Sequence, residues 1–182
     1  MFVSKRQLII AAGAAAAAVV LAIGIGASNR EPIDLKLEGA WIAKVPGAPV
    51  QWSYTLSPDP SGRRASLFGY IEVGIKTAVY GYFADSEYQS PLIGEAVIGN
   101  DGTIVFNSIW YGIKNGSPFN EIVYIGMNSG HMRPVGPGRM EGTHNLTFYH
   151  PDSDQDGDGI PDPGAVPVLS IPAVSLDTRL PL

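Results

Sequence analysis

Residues 93–113 read IGEAVIGNDGTIVFNSIWYGI, two alternating runs on either side of Gly99–Asn100–Asp101–Gly102. Gly, Asn and Asp accept the positive φ that a tight hairpin needs, so the stretch predicts two antiparallel strands, Ile93–Ile98 and Thr103–Ile113. The period of two is that of a strand, not a helix. In the second run Phe106 and Trp110 share one face, while Ile109 and Tyr111 share the other. Bulky side chains on both faces suit the wall of a barrel whose interior is filled or holds a ligand.

The same pattern extends in both directions. Val50–Leu56 alternates with its apolar residues on one face, and Ser57–Gly62, with two prolines, turns the chain. Ala65–Val73 follows, with Leu67, Ile71 and Val73 opposite Phe68, Tyr70 and Glu72, and Ala78–Phe83 reads as a further strand. Asn115–Pro118 turns the chain into Glu121–Met127, and Val135–Gly138 turns it again before Thr143–His150. A last run, Val166–Val174, holds Pro167 and Pro172, which direct it to a sheet edge or an extended tail. About eight strands separated by turns make an all-β body, either a single antiparallel β-barrel or a two-sheet β-sandwich.

Composition agrees. Charged residues are 16% of the chain, and Gly 22 and Pro 15 favour turns over long helices. The net charge is −5; without Lys5 and Arg6 the balance is 10 basic residues against 17 acidic. Such a body is a poor partner for nucleic acid, and its net charge would be repelled by anionic lipid. Cys 0 excludes disulfides, a thiol nucleophile and a lipid-modified cysteine.

The first residues have a different character. Lys5 and Arg6 head a stretch, Leu8–Ala27, without a charged side chain. As a helix rising ~1.5 Å per residue it would match the ~30 Å bilayer core. Gly26–Ala27–Ser28 supplies small residues for signal-peptidase cleavage before Asn29. The expected layout is an N-terminal hydrophobic helix in residues 1–28, acting as signal peptide or membrane anchor, then a linker at 29–38. A β domain at 39–150, a loop at 151–163 and a C-terminal strand or tail at 164–182 follow. The basic head places the body outside the cytoplasm, periplasmic, at the cell surface or secreted, and the only membrane contact expected is through this segment.

Leu37–Glu38–Gly39–Ala40–Trp41 carries a resemblance. Gly-x-Trp at the first strand resembles the lipocalins, and the hairpin order and size are similar to that group; the chain as a whole resembles a set of exported bacterial proteins whose function that likeness does not supply. The resemblance implies an eight-stranded barrel plugged by Trp41, with a late arginine, Arg139 or Arg179, packed against it. The family's midway Thr-Asp-Tyr-like element is missing; Ser86–Glu87–Tyr88 comes nearest.

Pro151–Pro163 reads PDSDQDGDGIPDP. Calcium takes six to eight oxygens at ~2.3–2.6 Å, and carboxylates at alternate positions of a tight loop converge on one centre. Counting from Asp154, Asp156 is third, Asp158 fifth, Gly159 sixth, the Ile160 carbonyl seventh and Asp162 ninth, with Asp152 as an extra ligand. This resembles the loops of thrombospondin type 3 repeats, dockerins and EF-hands. Position twelve is Ala165, not a bidentate Glu, which implies weak binding, ~10⁻⁴–10⁻³ M.

His144 and His150 fall on one strand face but ~20 Å apart, too far to share a metal without a bend; zinc would need His131. A pair among Glu72, Glu95, Glu121 and Glu141 facing inward would suit acid–base chemistry, but nothing in the sequence selects one. No nucleophile elbow, phosphate loop or dinucleotide fingerprint occurs. The expected function is therefore an exported or anchored, non-enzymatic barrel with a structural calcium, binding a small apolar ligand or acting at the surface. The alternatives are a barrel isomerase or cyclase, or a calcium-ordered adhesive module that self-associates.

Overall fold

The computed structural model describes residues 37–48, 50–73, 79, 81–116 and 119–181. The signal or anchor segment, its helix and most of the linker lie outside the described residues. Ile33–Leu182 is a compact unit by itself.

The strands are β1 (Gly39–Lys44), β2 (Gln51–Pro58), β3 (Arg64–Val73), β4 (Tyr88–Gln89), β5 (Leu92–Ile98), β6 (Ile104–Lys114), β7 (Glu121–Gly136), β8 (Arg139–Tyr149) and β9 (Leu169–Arg179). Omitting β4, each strand pairs antiparallel with the next, and β1 also pairs with β9. The sheet therefore closes on itself as an eight-stranded meander barrel with one short extra strand, not as a sandwich. This architecture is consistent with a lipocalin-like fold. Closure removes the exposed edges an open sheet would present.

β4 is a broken-off part of β5. Both lie along β6, and Ser90 bridges them, its amide donating to the Tyr111 carbonyl and its hydroxyl accepting from the Tyr111 amide, each at 2.9 Å. Pro91 has no N–H to give the ladder, so the strand bulges there.

The hairpin at Gly99–Gly102 forms as its sequence requires, with Gly102 at φ 80° and Ile98 opposite Ile104. β7 and β8 are longer than their patterns suggest. The run read as a strand over 78–83 is instead a tight turn where it is described. The amides of Tyr82 and Phe83 both bond to the Val79 carbonyl, which buries Val79 and Phe83 side by side against the core. Their spacing of four mimics alternation but belongs to a helical turn.

β9 is part of the wall rather than a tail. It pairs with β8 over Leu169–Thr178 but with β1 only over Leu176–Arg179. Pro172 lies in the half with one neighbour, where its missing N–H costs no ladder bond. Pro134 sits likewise, past the point where β6 ends alongside β7.

The inward faces carry Trp41, Trp52, Tyr54, Leu56, Leu67, Phe106, Trp110, Tyr124, Leu146 and Phe148, all buried. Trp41 stands opposite Arg179 across the β1–β9 ladder, and Arg179 donates to the Glu38 carbonyl at 2.6 Å. Of the two arginines the resemblance offered, this is the one brought to the tryptophan; Arg139 pairs with Thr178.

Candidate functional site

The loop between β8 and β9 opens on a single 3-10 turn, Pro151–Ser153. From there its shape is set by carboxylates accepting backbone amides. Asp154 takes the amides of Gly157 and Gly159, each at 2.9 Å; Asp156 takes that of Asp158 at 3.2 Å; Asp158 takes that of Ile160 at 2.8 Å. Gly157 and Gly159 bend the chain at φ 77° and 87°. Asp162 closes the loop by accepting the Gln155 amide, while its own amide bonds to the Ser153 carbonyl at 2.7 Å.

This folding brings Asp154, Asp156 and Asp158 together, with one oxygen from each within 4.8 Å of the others. Among the described residues it is the one cluster of three or more side chains with metal-ligand spacing. Asp152 and Asp162 lie outside that cluster. Ile160 is positioned through its amide. Calcium is a hard ion and the donors here are carboxylate oxygens, so the chemistry matches.

Tyr111 on β6 fixes the loop to the barrel by donating its hydroxyl to the Gly159 carbonyl at 3.1 Å. Burial first, and then the negative charges of Asp154 and Asp158, hold its phenol above the usual pKa. Pattern reading missed this anchor, because Tyr111 counted only as a strand aromatic sharing a face with Ile109.

A second polar constellation lies inside the barrel. Tyr54 on β2 donates to Asp177 Oδ2 at 2.5 Å, and Ser175 Oγ lies 2.5 Å from Asp177 Oδ1. The His144 Nε2 meets Ser175 Oγ at 2.8 Å, and its Nδ1 faces Asn128 Oδ1 at 3.3 Å. Trp52 and Phe106 pack on the imidazole at 4.9 and 5.2 Å between ring centres. Burial, and then the nearby His131, lower the His144 pKa to about 4; burial raises that of Asp177.

Of the other residues singled out in the sequence, His131 and His150 are exposed, and His131 points out of the barrel while His144 points in. Glu95 and Glu121 are exposed, and Glu141 pairs with Arg133 at 2.8 Å on the outside. Among the described residues the inward acid is Asp177, on a strand whose expected range ended at Val174; the Glu72 side chain lies outside the described residues.

The cavity beside His144, lined by Trp52, Phe106, Asn128 and Met132 among others, measures about 10 Å³. That is room for about one water. Compared with known families, curated proteins and solved structures, the chain has no match.

Proposed function

We propose that this is an exported or membrane-anchored, non-enzymatic surface protein whose barrel is a filled structural body and whose 151–163 loop carries a structural calcium ion. The observation that supports the ion is the convergence of Asp154, Asp156 and Asp158 on a loop tied to β6 through Tyr111. In this reading Asp154, Asp156 and Asp158 bind directly, the Ile160 carbonyl and Asp162 complete the shell, and Asp152 adds an outer carboxylate. The export step rests on Lys5–Arg6 and the apolar stretch after them. Calorimetric calcium titration of residues 29–182 tests the ion; no heat at millimolar calcium removes it.

The cavity beside His144, about 10 Å³, supports the surface role over carriage of a small apolar ligand there, since ligand pockets usually run ~300–1,000 Å³. A calcium-ordered adhesive module remains within the proposal. Since β9 is held in the wall, the self-association it needs would run through the loop or the outer face, and light scattering with and without EDTA tests it. The barrel-enzyme reading draws on one observation, the inward His144 and Asp177 with displaced pKa values.

A further inference from the structure

The row Tyr54–Asp177–Ser175–His144–Asn128 invites a count of hydrogens. Its four contacts each need one. Tyr54 supplies one, Ser175 one and a neutral imidazole one. With Asp177 ionised the row is therefore one proton short.

The missing proton fits on Asp177. A protonated Oδ1 donates to Ser175 Oγ, Ser175 donates to His144 Nε2, and the Nδ1–H donates to Asn128 Oδ1, while Tyr54 donates to Oδ2. Every contact is then satisfied and no member is charged. Placing the proton on His144 instead gives an imidazolium and a carboxylate, both desolvated, which burial penalises.

The backbone is shaped for this row. A Cβ at Gly142 would lie 2.4 Å from His144 Nε2 and 2.5 Å from Ser175 Oγ, so only glycine lets the two meet.

We propose that the barrel core stores one exchangeable proton on this row, held by Asp177, and that its loss loosens the barrel: a pH-operated lock joining β2, β7, β8 and β9. This goes beyond the surface-protein reading and does not depend on calcium.

Few other charges can set the lock. β1 presents Trp41 and Ala43 to Asp177, β8 presents Met140, and β7 presents Met132, which Tyr54 also touches at 3.4 Å. Arg179, next inward on β9, is turned to the Glu38 carbonyl. Lys44, His131, Arg133 and Glu141 occupy outward positions, and of these His131 acts on His144.

The sign follows from burial, which raises the Asp177 pKa in the folded chain. Stability from the stored proton is complete below the unfolded value of ~3.9 and is lost as pH rises through the folded value. Between the two values this group alone raises the unfolding constant by about tenfold per pH unit, and above the folded value its effect levels off.

The test is urea unfolding of residues 29–182, which hold the whole barrel, from pH 5 to 9. Asp177→Asn mimics the acid form, since its amide donates to Ser175 and its carbonyl accepts from Tyr54. The expected result is loss of the alkaline slope, with an infrared protonated-carboxyl band at pH 7 in wild type that the variant lacks. Equal weakening by Asp177→Asn at pH 5 and 9, or no such band, overturns the proposal. If the variant does not fold, wild type labelled with 13C at the aspartate carboxyls decides. One carboxyl still in its acid form at pH 7 supports the stored proton. All of them ionised means that the Asn128 amide is turned to supply the fourth hydrogen, and the lock is refuted.

Discussion

The indole of Trp110 fills the space that a side chain at Gly126 would need. The two are cross-strand partners on β6 and β7, and a Cβ at Gly126 would come within 2.3 Å of Trp110 Cε2. The adjoining pair reverses the arrangement, since Tyr124 on β7 covers Gly112 on β6, where a Cβ would meet the ring at 1.9 Å. Two aromatics thus enter the barrel from opposite strands, each lying over the other strand's glycine. They meet Phe148 from either side, each at 5.6 Å between ring centres.

Gly126→Ala should therefore destabilise the barrel by about 1–3 kcal/mol through overpacking against an indole that has nowhere to move. Trp110→Ala, which empties the same space, should cost about 3–5 kcal/mol. Combined, the two should cost less than the sum of their separate effects, because the alanine at 126 then faces a void. Urea midpoints of the four proteins measure this, and strict additivity would show that the indole does not rest on Gly126.

Much of the wall was legible because its strands alternate in the ordinary sense. Trp52, Tyr54 and Leu56 on β2 face in while Ser53 and Thr55 face out, and Ile104, Phe106 and Trp110 on β6 face in while Val105 and Asn107 face out. β9 breaks that rule. Ser175 and Asp177 are buried at 0% and 2%, while Val174 and Leu176 are exposed at 55% and 50%. Hydrophobic patterning reads such a strand inside out, so the inward acid could not be seen from sequence. The clustering of Asp154, Asp156 and Asp158 was legible because their spacing is local to a few residues. Its anchor Tyr111 was not, since it comes from 48 residues away.

Calcium should bind residues 29–182 with a dissociation constant of ~10⁻⁴–10⁻³ M, because position twelve lacks a carboxylate. At ten times that concentration the fold should gain about 1.4 kcal/mol, seen as a rise in melting temperature. Asp156→Ala and Asp158→Ala should abolish both effects. Tyr111 gives an independent readout: an ion neutralising Asp154 and Asp158 removes part of what raises its phenol, so its ultraviolet titration should shift to lower pH with calcium. An unchanged Tyr111 titration alongside binding would place the ion elsewhere.

His144 should govern the acid limb of stability. Its folded pKa is depressed, from 6.5 to about 4. The stability it contributes is present above its unfolded pKa and drains away as pH falls from 6.5 towards 4, by about 3 kcal/mol in all. Asp177 acts in the opposite sense from ~3.9 up to its folded value, so where the two windows overlap they offset each other in wild type, and stability falls above that overlap. His144→Gln should unmask the Asp177 slope, so that stability falls from about pH 4 upward, while Asp177→Asn should leave the His144 rise standing alone. Denaturant midpoints across pH 4–9 check this, and a profile unchanged by His144→Gln would assign the pH dependence to other groups.

A barrel filled as proposed also makes a prediction about uptake. Wild-type residues 29–182 should leave a lipophilic fluorophore in water, since about 10 Å³ beside His144 admits no ring. Phe106→Ala deletes a buried ring next to that cavity and should open an apolar space that a benzene-sized probe enters, as dry engineered cavities do. The mutation should also cost about 3–5 kcal/mol of stability, which bound probe would partly restore. Saturable uptake by wild type, blocked by a bulky substitution at the barrel mouth, would instead show that the core side chains part for a ligand and would return the protein to the carriers.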